Sequence, residues 1–226
     1  MREDVNVYLE TLLKHKTSIN IMNPRLKEKY NKEIVQSLMT KLNFKNINAV
    51  PKIEKIVLNM GLGQEGLDKK KMEICIKDMS SISGQYPVKT KFKKSISNFK
   101  SRKGSNAGLK VTLRNHRMYE FLDRLVNIAL PRIKDFRGLK DSACDKFGNF
   151  TFGVKEHIIF PEINFDKVET IRGMDITIVT SSNSKENTIS LLKEFNFPIV
   201  EDNEKKKKKI KKIVDIKNKE EKAEKG

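Results

Sequence analysis

A chain of 226 residues with 47 Lys and Arg against 29 Asp and Glu carries a formal net charge of +18; 34% of its residues are charged and 37% hydrophobic. That length suits one sizeable domain or two small ones able to bury a core without staples. The charge excess repels itself in the compact state and calls for a polyanionic partner, nucleic acid ahead of a membrane surface. Cys75 and Cys144 stand far apart without ligand-spaced neighbours, which fits a reducing compartment and structural thiols. No apolar run nears the ~18 residues of a membrane span. Glu3, Asp4 and Glu10 argue against a transit or secretory peptide, so the chain reads as intracellular and soluble.

Residues 1–22 read as an N-terminal extension, residues 23–200 as the body and residues 201–226 as a tail. Asn23-Pro24 predicts a helix start, Asn as the cap and Pro at the first helical position. Leu26, Tyr30, Ile34, Leu38 and Leu42 then recur on one helical face. After Pro51, Ile53 to Met60 is β-branched and alternating, a central strand. Asp68 caps a second helix with Met72, Cys75, Ile76 and Met79 inward, closed by Gly84. Tyr86 to Phe92 reads as a strand. A polar loop follows, and Leu109 to Arg114 returns as the other arm of a long hairpin. Met118, Phe121, Leu122, Leu125, Val126 and Ala129 form the cleanest helical stripe, stopped by Pro131. Strands near Phe150–Val154 and Asp175–Thr180 precede a last helix carrying Ile189, Leu192 and Phe195. The order lacks regular βαβ repetition. It predicts an α+β fold: a single mostly antiparallel sheet packed by helices on one face, with a long basic hairpin loop. Beyond Glu201 the composition is that of a disordered Lys/Glu-rich tail.

Between Asp78 and Glu120 there is no acidic residue, yet Lys89, Lys91, Lys93, Lys94, Lys100, Arg102, Lys103, Lys110, Arg114 and Arg117 all fall there. Ten cations without a local counter-charge do not make a salt-bridged surface. Arg forks and Lys point charges suit phosphates. Gln85, Thr90, Ser95, Ser97, Asn98, Ser105, Asn106 and Thr112 suit sugar hydroxyls and base edges. Phe92 and Phe99 suit stacking, Phe92 equally a place beneath the sheet. The loop from Lys93 to Asn106 is too polar to pack on itself, and such a loop on a rigid scaffold is usually a binding element. The tail holds 11 lysines against 7 acidic residues, a net of +4 that leaves +14 for the body, so its part is auxiliary.

Two competing readings are weaker. Gly61-Leu62-Gly63-Gln64-Glu65-Gly66 has the form of a dinucleotide fingerprint, but the next strand ends in lysines rather than an acidic ribose partner. A strand-to-helix turn needing permissive φ accounts for it better. His15, His116 and His157 have no triad-like or metal-like neighbours, Glu162 pairs with no nucleophile, and Arg172-Gly173 with Asp175 reads as turn chemistry. No catalytic constellation emerges, and no cofactor, metal or small-molecule substrate is expected.

Several of these runs carry a resemblance. Arg-Leu-Lys-Glu-Lys-Tyr at 25–30, Val-Pro-Lys-Ile-Glu-Lys-Ile-Val-Leu-Asn-Met-Gly at 50–61, Ser-Gly-Gln at 83–85 and Lys-Val-Thr-Leu-Arg at 110–114 are among them. Leu-Pro-Arg-Ile-Lys-Asp-Phe-Arg-Gly-Leu at 130–139 and Arg-Gly-Met-Asp-Ile-Thr-Ile at 172–178 continue the match in order. The chain resembles the bacterial-type ribosomal protein L-five family over about Pro24 to Ile199. The resemblance implies a structural large-subunit ribosomal protein, not an enzyme. It implies attachment of 5S rRNA in the central protuberance of a cytoplasmic or organellar ribosome, beside large-subunit rRNA. It implies a 5S rRNA surface of Asn59, Met60, Gly61, Gln85, Thr90, Lys91, Lys110, Thr112 and Arg114. It implies P-site tRNA contact through Lys94, Ser95, Asn98, Phe99, Lys100, Arg102 and Lys103. An intersubunit bridge to a small-subunit head protein would use Asp135, Arg137, Lys140 and Lys146. Two departures stand out: Asn115-His116 replaces the family's Gly-acidic pair, and Lys103 stands where Glu or Gln is frequent.

Overall fold

The computed structural model describes residues 23–200 apart from 166, 167 and 169; the expected extension over 1–22 and the expected tail over 201–226 lie outside the described residues. The first helix, α1, runs through Arg25–Lys29, a π turn Tyr30–Ile34 and Val35–Leu42. It starts one residue later than Asn23-Pro24 predicts. Pro24 is itself the N-cap with ψ 135, its carbonyl accepts from the Lys27 and Glu28 N–H groups, and no side chain caps the helix. Tyr30 stacks on Phe195 at 5.9 Å and donates its hydroxyl to the Pro51 carbonyl at 3.0 Å, pinning α1 to the body.

Strand β1 (Ile53–Gly61) lies at the centre of the main sheet. Helix α2 (Lys69–Ser83) follows, with the Lys70 N–H donating to the Asp68 carboxylate at 2.9 Å and Gly84 ending it at φ 65, both as expected. β2 (Val88–Lys91) and β3 (Asn106–Leu113) pair antiparallel. Helix α3 (Asn115–Arg124) continues as a π turn Leu125–Ala129 and a 3-10 turn Leu130–Arg132, so Pro131 sits inside its last turn rather than cutting it off. Then come β4 (Leu139–Lys140), β5 (Phe150–Val154), β6 (Met174–Thr180), α4 (Lys185–Glu194) and β7 (Ile199–Val200). The five-stranded sheet has the order β2-β3-β1-β6-β5, antiparallel throughout, and β4 with β7 makes a small parallel pair that the sequence did not reveal.

Period-2 alternation explains the single core. Ile56, Leu58 and Met60, Leu109, Val111 and Leu113, Phe150, Phe152 and Val154, and Met174, Ile176 and Ile178 are all buried. Against this face the helices set Met72, Met79 and Ile82, Phe121, Leu122 and Leu125, and Leu191 and Leu192. The result is the expected α+β fold. Because β1 is antiparallel to both neighbours, no βαβ crossover follows Gly61, and the dinucleotide reading falls. Of its glycines, Gly63 takes the left-handed region at φ 53, and Gly66, like Gly108 across the sheet, answers to close packing. A Cβ on Gly66 would lie 2.9 Å from the Asn106 carbonyl oxygen, and one on Gly108 only 2.4 Å from that of Met60.

Beneath α2 lies a buried polar cluster. His157 is fully buried, its Nδ1 accepts from the Arg172 N–H at 3.1 Å, and its Nε2 stands 3.8 Å from the Asp78 carboxylate. Arg172 donates twice to Glu65, at 3.0 and 3.1 Å, tying the turn after β1 to the segment entering β6. Burial pushes the Asp78 carboxyl above its ordinary range, against the opposing pull of His157 and Arg172. A carboxyl raised in the folded state stabilises the fold below the unfolded value, about pH 4, and that contribution is lost as pH rises through the folded value.

Two measurements test this packing. Gly108→Ala should lower stability by about 1–3 kcal/mol, read as a fall in the urea midpoint, because backbone on both sides must shift. Gly153→Ala, whose Cβ would meet the Asp175 side chain at 3.4 Å, should leave the midpoint in place or raise it. Asp78→Asn should raise the melting temperature at pH 7 by removing a carboxylate held in a dehydrated site. That gain should vanish below about pH 4; a loss at neutral pH would mean that the attraction to His157 and Arg172 outweighs burial.

Candidate nucleic-acid interface

The face of the sheet turned away from the helices is built by the residues between the buried ones. Register places Val57 opposite Thr112 and Thr177, and Asn59 opposite Lys110 and Asp175. Val88 faces Lys110, Thr90 faces Gly108, and a register shift after Thr90 sets Lys91 opposite Asn106. Arg114 continues the β3 alternation at the mouth of α3 and is exposed, and Asn115 behind it takes the left-handed region at φ 51. Gln85 reaches the same edge, its amide donating to the Thr112 carbonyl at 3.4 Å.

Of the expected surface, Asn59, Thr90, Lys110 and Thr112 therefore share one open face, with Arg114 and Gln85 at its rim. Gly61 lies at the end of β1 paired with Gly108. Met60 is a correction: its side chain is 1% exposed and belongs to the core, because it alternates with Asn59. Asp175 opens the expected strand Asp175–Thr180; it lies in β6, outward and beside Asn59, rather than in a turn with Arg172-Gly173. The alternation Met174, Ile176, Ile178 already marks Asp175 as outward, but only strand order brings it to Asn59.

The segment between β2 and β3 also departs from expectation, for it bonds extensively to itself. Ile96 and Ser101 exchange backbone hydrogen bonds at 3.1 and 3.2 Å, Ser97–Phe99 forms a 3-10 turn, and Lys100 takes φ 50. The Lys103 N–H donates to the Ser95 hydroxyl at 2.9 Å, and Ser101 is buried. The Gln64 amide donates to the Phe99 carbonyl at 3.4 Å, leaning the segment against the turn Gly63–Leu67. Serine hydroxyls and backbone groups do what apolar packing does elsewhere, and they leave Lys94, Asn98, Lys100, Arg102 and Lys103 exposed, with the Phe99 ring 66% exposed. Among the described residues, none of the ten cations from Lys89 to Arg117 has an acidic partner within ion-pair distance.

The four residues expected to reach another subunit fall in the loop after α3, in β4 and in the turn before β5. Asp135, in the left-handed region at φ 56, and Arg137 line a cleft of about 350 Å³ between the loop after α3 and the free edge of β5. Lys140 lies in β4, and Lys146 is exposed at a tight turn. The Asp145 carboxylate builds that turn, accepting from the Phe147 and Asn149 N–H groups at 2.9 and 2.7 Å and from the Asn149 amide at 2.9 Å. Those bonds, the Asn149 side chain first, hold the Asp145 carboxyl below its ordinary range. Phe147 projects beside it, 75% exposed. Among the described residues no cluster of His, Cys, Asp and Glu could hold a metal, and no helix is long and apolar enough to cross a membrane.

This architecture has relatives. A family model of ribosomal protein L5 matches residues 46–102, and a second model, of the C-terminus of the same ribosomal family, matches residues 106–199. The large ribosomal subunit protein uL5 of Pelagibacter ubique is 60% identical over 179 residues, which is 79% of this chain and 97% of the relative. Those of Dichelobacter nodosus and Brevibacillus brevis are 53% and 52% identical, over 77% and 78% of this chain and 97% and 98% of their own lengths. With two adjoining family models meeting inside the β2–β3 connection and relatives matched over nearly their whole length, the chain belongs to the ribosomal protein L5 family.

Proposed function

We propose that this chain is a structural component of the large ribosomal subunit that binds 5S rRNA through the open face of its sheet. The observation that carries the reading is a collection of cations that, among the described residues, lack ion-pair partners, on and beside a sheet face that the described helices leave open. Lys110, Thr112, Asn59 and Thr90 offer charge and hydrogen bonding on one rigid surface, as a surface reading sugar hydroxyls and base edges requires. The names of the relatives, large ribosomal subunit proteins, support the same placement. In this reading the segment from Lys94 to Lys103 reaches P-site tRNA, and the loops bearing Asp135, Arg137, Lys140 and Lys146 meet a protein of the small-subunit head. Large-subunit rRNA neighbours the rest, on a ribosome of bacterial type in the cytoplasm or an organelle.

Sedimentation with large subunits and crosslinking to 5S rRNA test the placement. Thr112→Ala with Arg114→Ala should weaken 5S rRNA binding by about 1–3 kcal/mol if their bonds are direct, while truncation after Asp202 weakens it slightly and uniformly. The opposite ranking would move the interface to the tail. Replacing Lys100, Arg102 and Lys103 with Ala should reduce the slope of log K against log salt for P-site tRNA by about 2–3 and leave incorporation into subunits unchanged. A triple variant that fails to enter subunits, yet binds tRNA normally in those that form, would put this segment on 5S rRNA.

A further inference from the structure

We infer that Asn59 and Asp175 form a recognition pair for the Watson–Crick edge of an unpaired guanine, an inference that rests on the RNA-binding role above and names the chemistry of one subsite. Across the open face one row of the sheet reads Lys110, Asn59, Asp175, Gly153, each directly opposite the next in register. Directly opposed residues of an antiparallel pair hold their Cβ atoms about 4.5–5.5 Å apart, so the Asn59 carboxamide and the Asp175 carboxylate stand side by side. Asp175 is exposed and Asn59 half-exposed, and neither side chain has a hydrogen-bond or ion-pair partner among the described residues. Beyond Asp175 the row continues with a glycine. A Cβ there would come within 3.4 Å of the Asp175 Oδ1, so the missing side chain keeps that flank of the carboxylate open.

An unneutralised carboxylate on a basic, RNA-facing surface repels phosphate, and what it accepts are hydrogen-bond donors. It has two acceptor oxygens and no donor, whereas a carboxamide has both. Guanine is the base whose Watson–Crick edge presents two adjacent donors, N1–H and N2–H, with the O6 acceptor beside them. The two donors match the two oxygens of Asp175, and O6 matches the Nδ2–H of Asn59. Adenine, cytosine and uracil each place a ring or carbonyl acceptor where one carboxylate oxygen needs a donor. Sequence-specific recognition of RNA works mainly on such exposed edges of unpaired bases. Lys110, exposed on the far side of Asn59, adds a charge within reach of a neighbouring phosphate.

The experiment compares the full chain with Asp175→Asn, an isosteric change at an exposed strand position, using 5S rRNA in a filter-binding assay across a salt series. A kethoxal footprint, which reports guanine N1 and N2, is taken in parallel. We expect the variant to bind ten-fold or more weakly with an unchanged salt slope. One guanine protected by the natural chain should become reactive while the other protections persist. Equal or tighter binding by Asp175→Asn would overturn the pair, since removing a bystander negative charge beside a polyanion strengthens binding. So would a footprint with no guanine dependent on residue 175. Failure of the unaltered chain to bind 5S rRNA would instead overturn the RNA-binding reading, and this subsite with it.

Discussion

One-sided burial of the central strand Ile53–Gly61 is the constraint on which the other features hang. Because β1 pairs antiparallel with β3 and β6, its inward set Ile56, Leu58, Met60 aligns with the inward sets of both neighbours. A slip of one residue would turn every one of those side chains to water and bring Val57 and Asn59 into the core. The same register that closes the core therefore composes the outer face. Lys110, Asn59 and Asp175 become neighbours for no local reason. They are neighbours because Leu109, Met60 and Ile176 must be buried.

Close approach of backbone reinforces this register at the end of β1 that meets the β2–β3 connection. Gly108 lets β3 run against the Met60 carbonyl, and Gly66 lets the turn after β1 press on Asn106. The Arg172–Glu65 pair then holds that turn from the other side, with His157 and Asp78 behind it. A desolvated Arg is tolerable only with its donors occupied, and here two go to Glu65 and another to the Thr170 carbonyl. The turn also carries Gln64, which bonds to the Phe99 carbonyl. A chain of packed and hydrogen-bonded groups thus runs from the buried cluster to the tip of the basic segment, and it orients exposed cations that have no acidic partner among the described residues.

Charge is distributed as the fold requires. Acidic residues that are paired serve the scaffold: Asp123 with Arg25, Glu162 with Arg124, Glu194 with Lys41 and Glu65 with Arg172. Arg124 also donates to the Ile82 carbonyl, so this contact joins α3 to the end of α2. Among the described residues, the basic residues of β2, β3 and the segment between them take no part in such pairing. Their mutual repulsion is left for an outside polyanion to neutralise, the arrangement expected of a surface whose affinity depends on salt.

By itself the sequence determined the order of the main helices and of the five strands of the large sheet, the helix caps at Asp68 and Gly84, the one-faced core and the acid-free basic stretch, because these rest on periodicity and local chemistry within a few residues. It also carried enough local identity to point to the family. It misplaced the start of α1 by one residue, since whether Pro24 serves as cap or first helical residue depends on how the chain enters from Asn23. The family resemblance placed Met60 on the binding surface, whereas alternation about Asn59 turns that side chain inward. The self-bonded basic segment, the β4–β7 pair and the row Lys110–Asn59–Asp175–Gly153 were decided only by tertiary structure. Each joins residues distant in the chain, and the energy that brings them together comes from burying other side chains than the ones that meet.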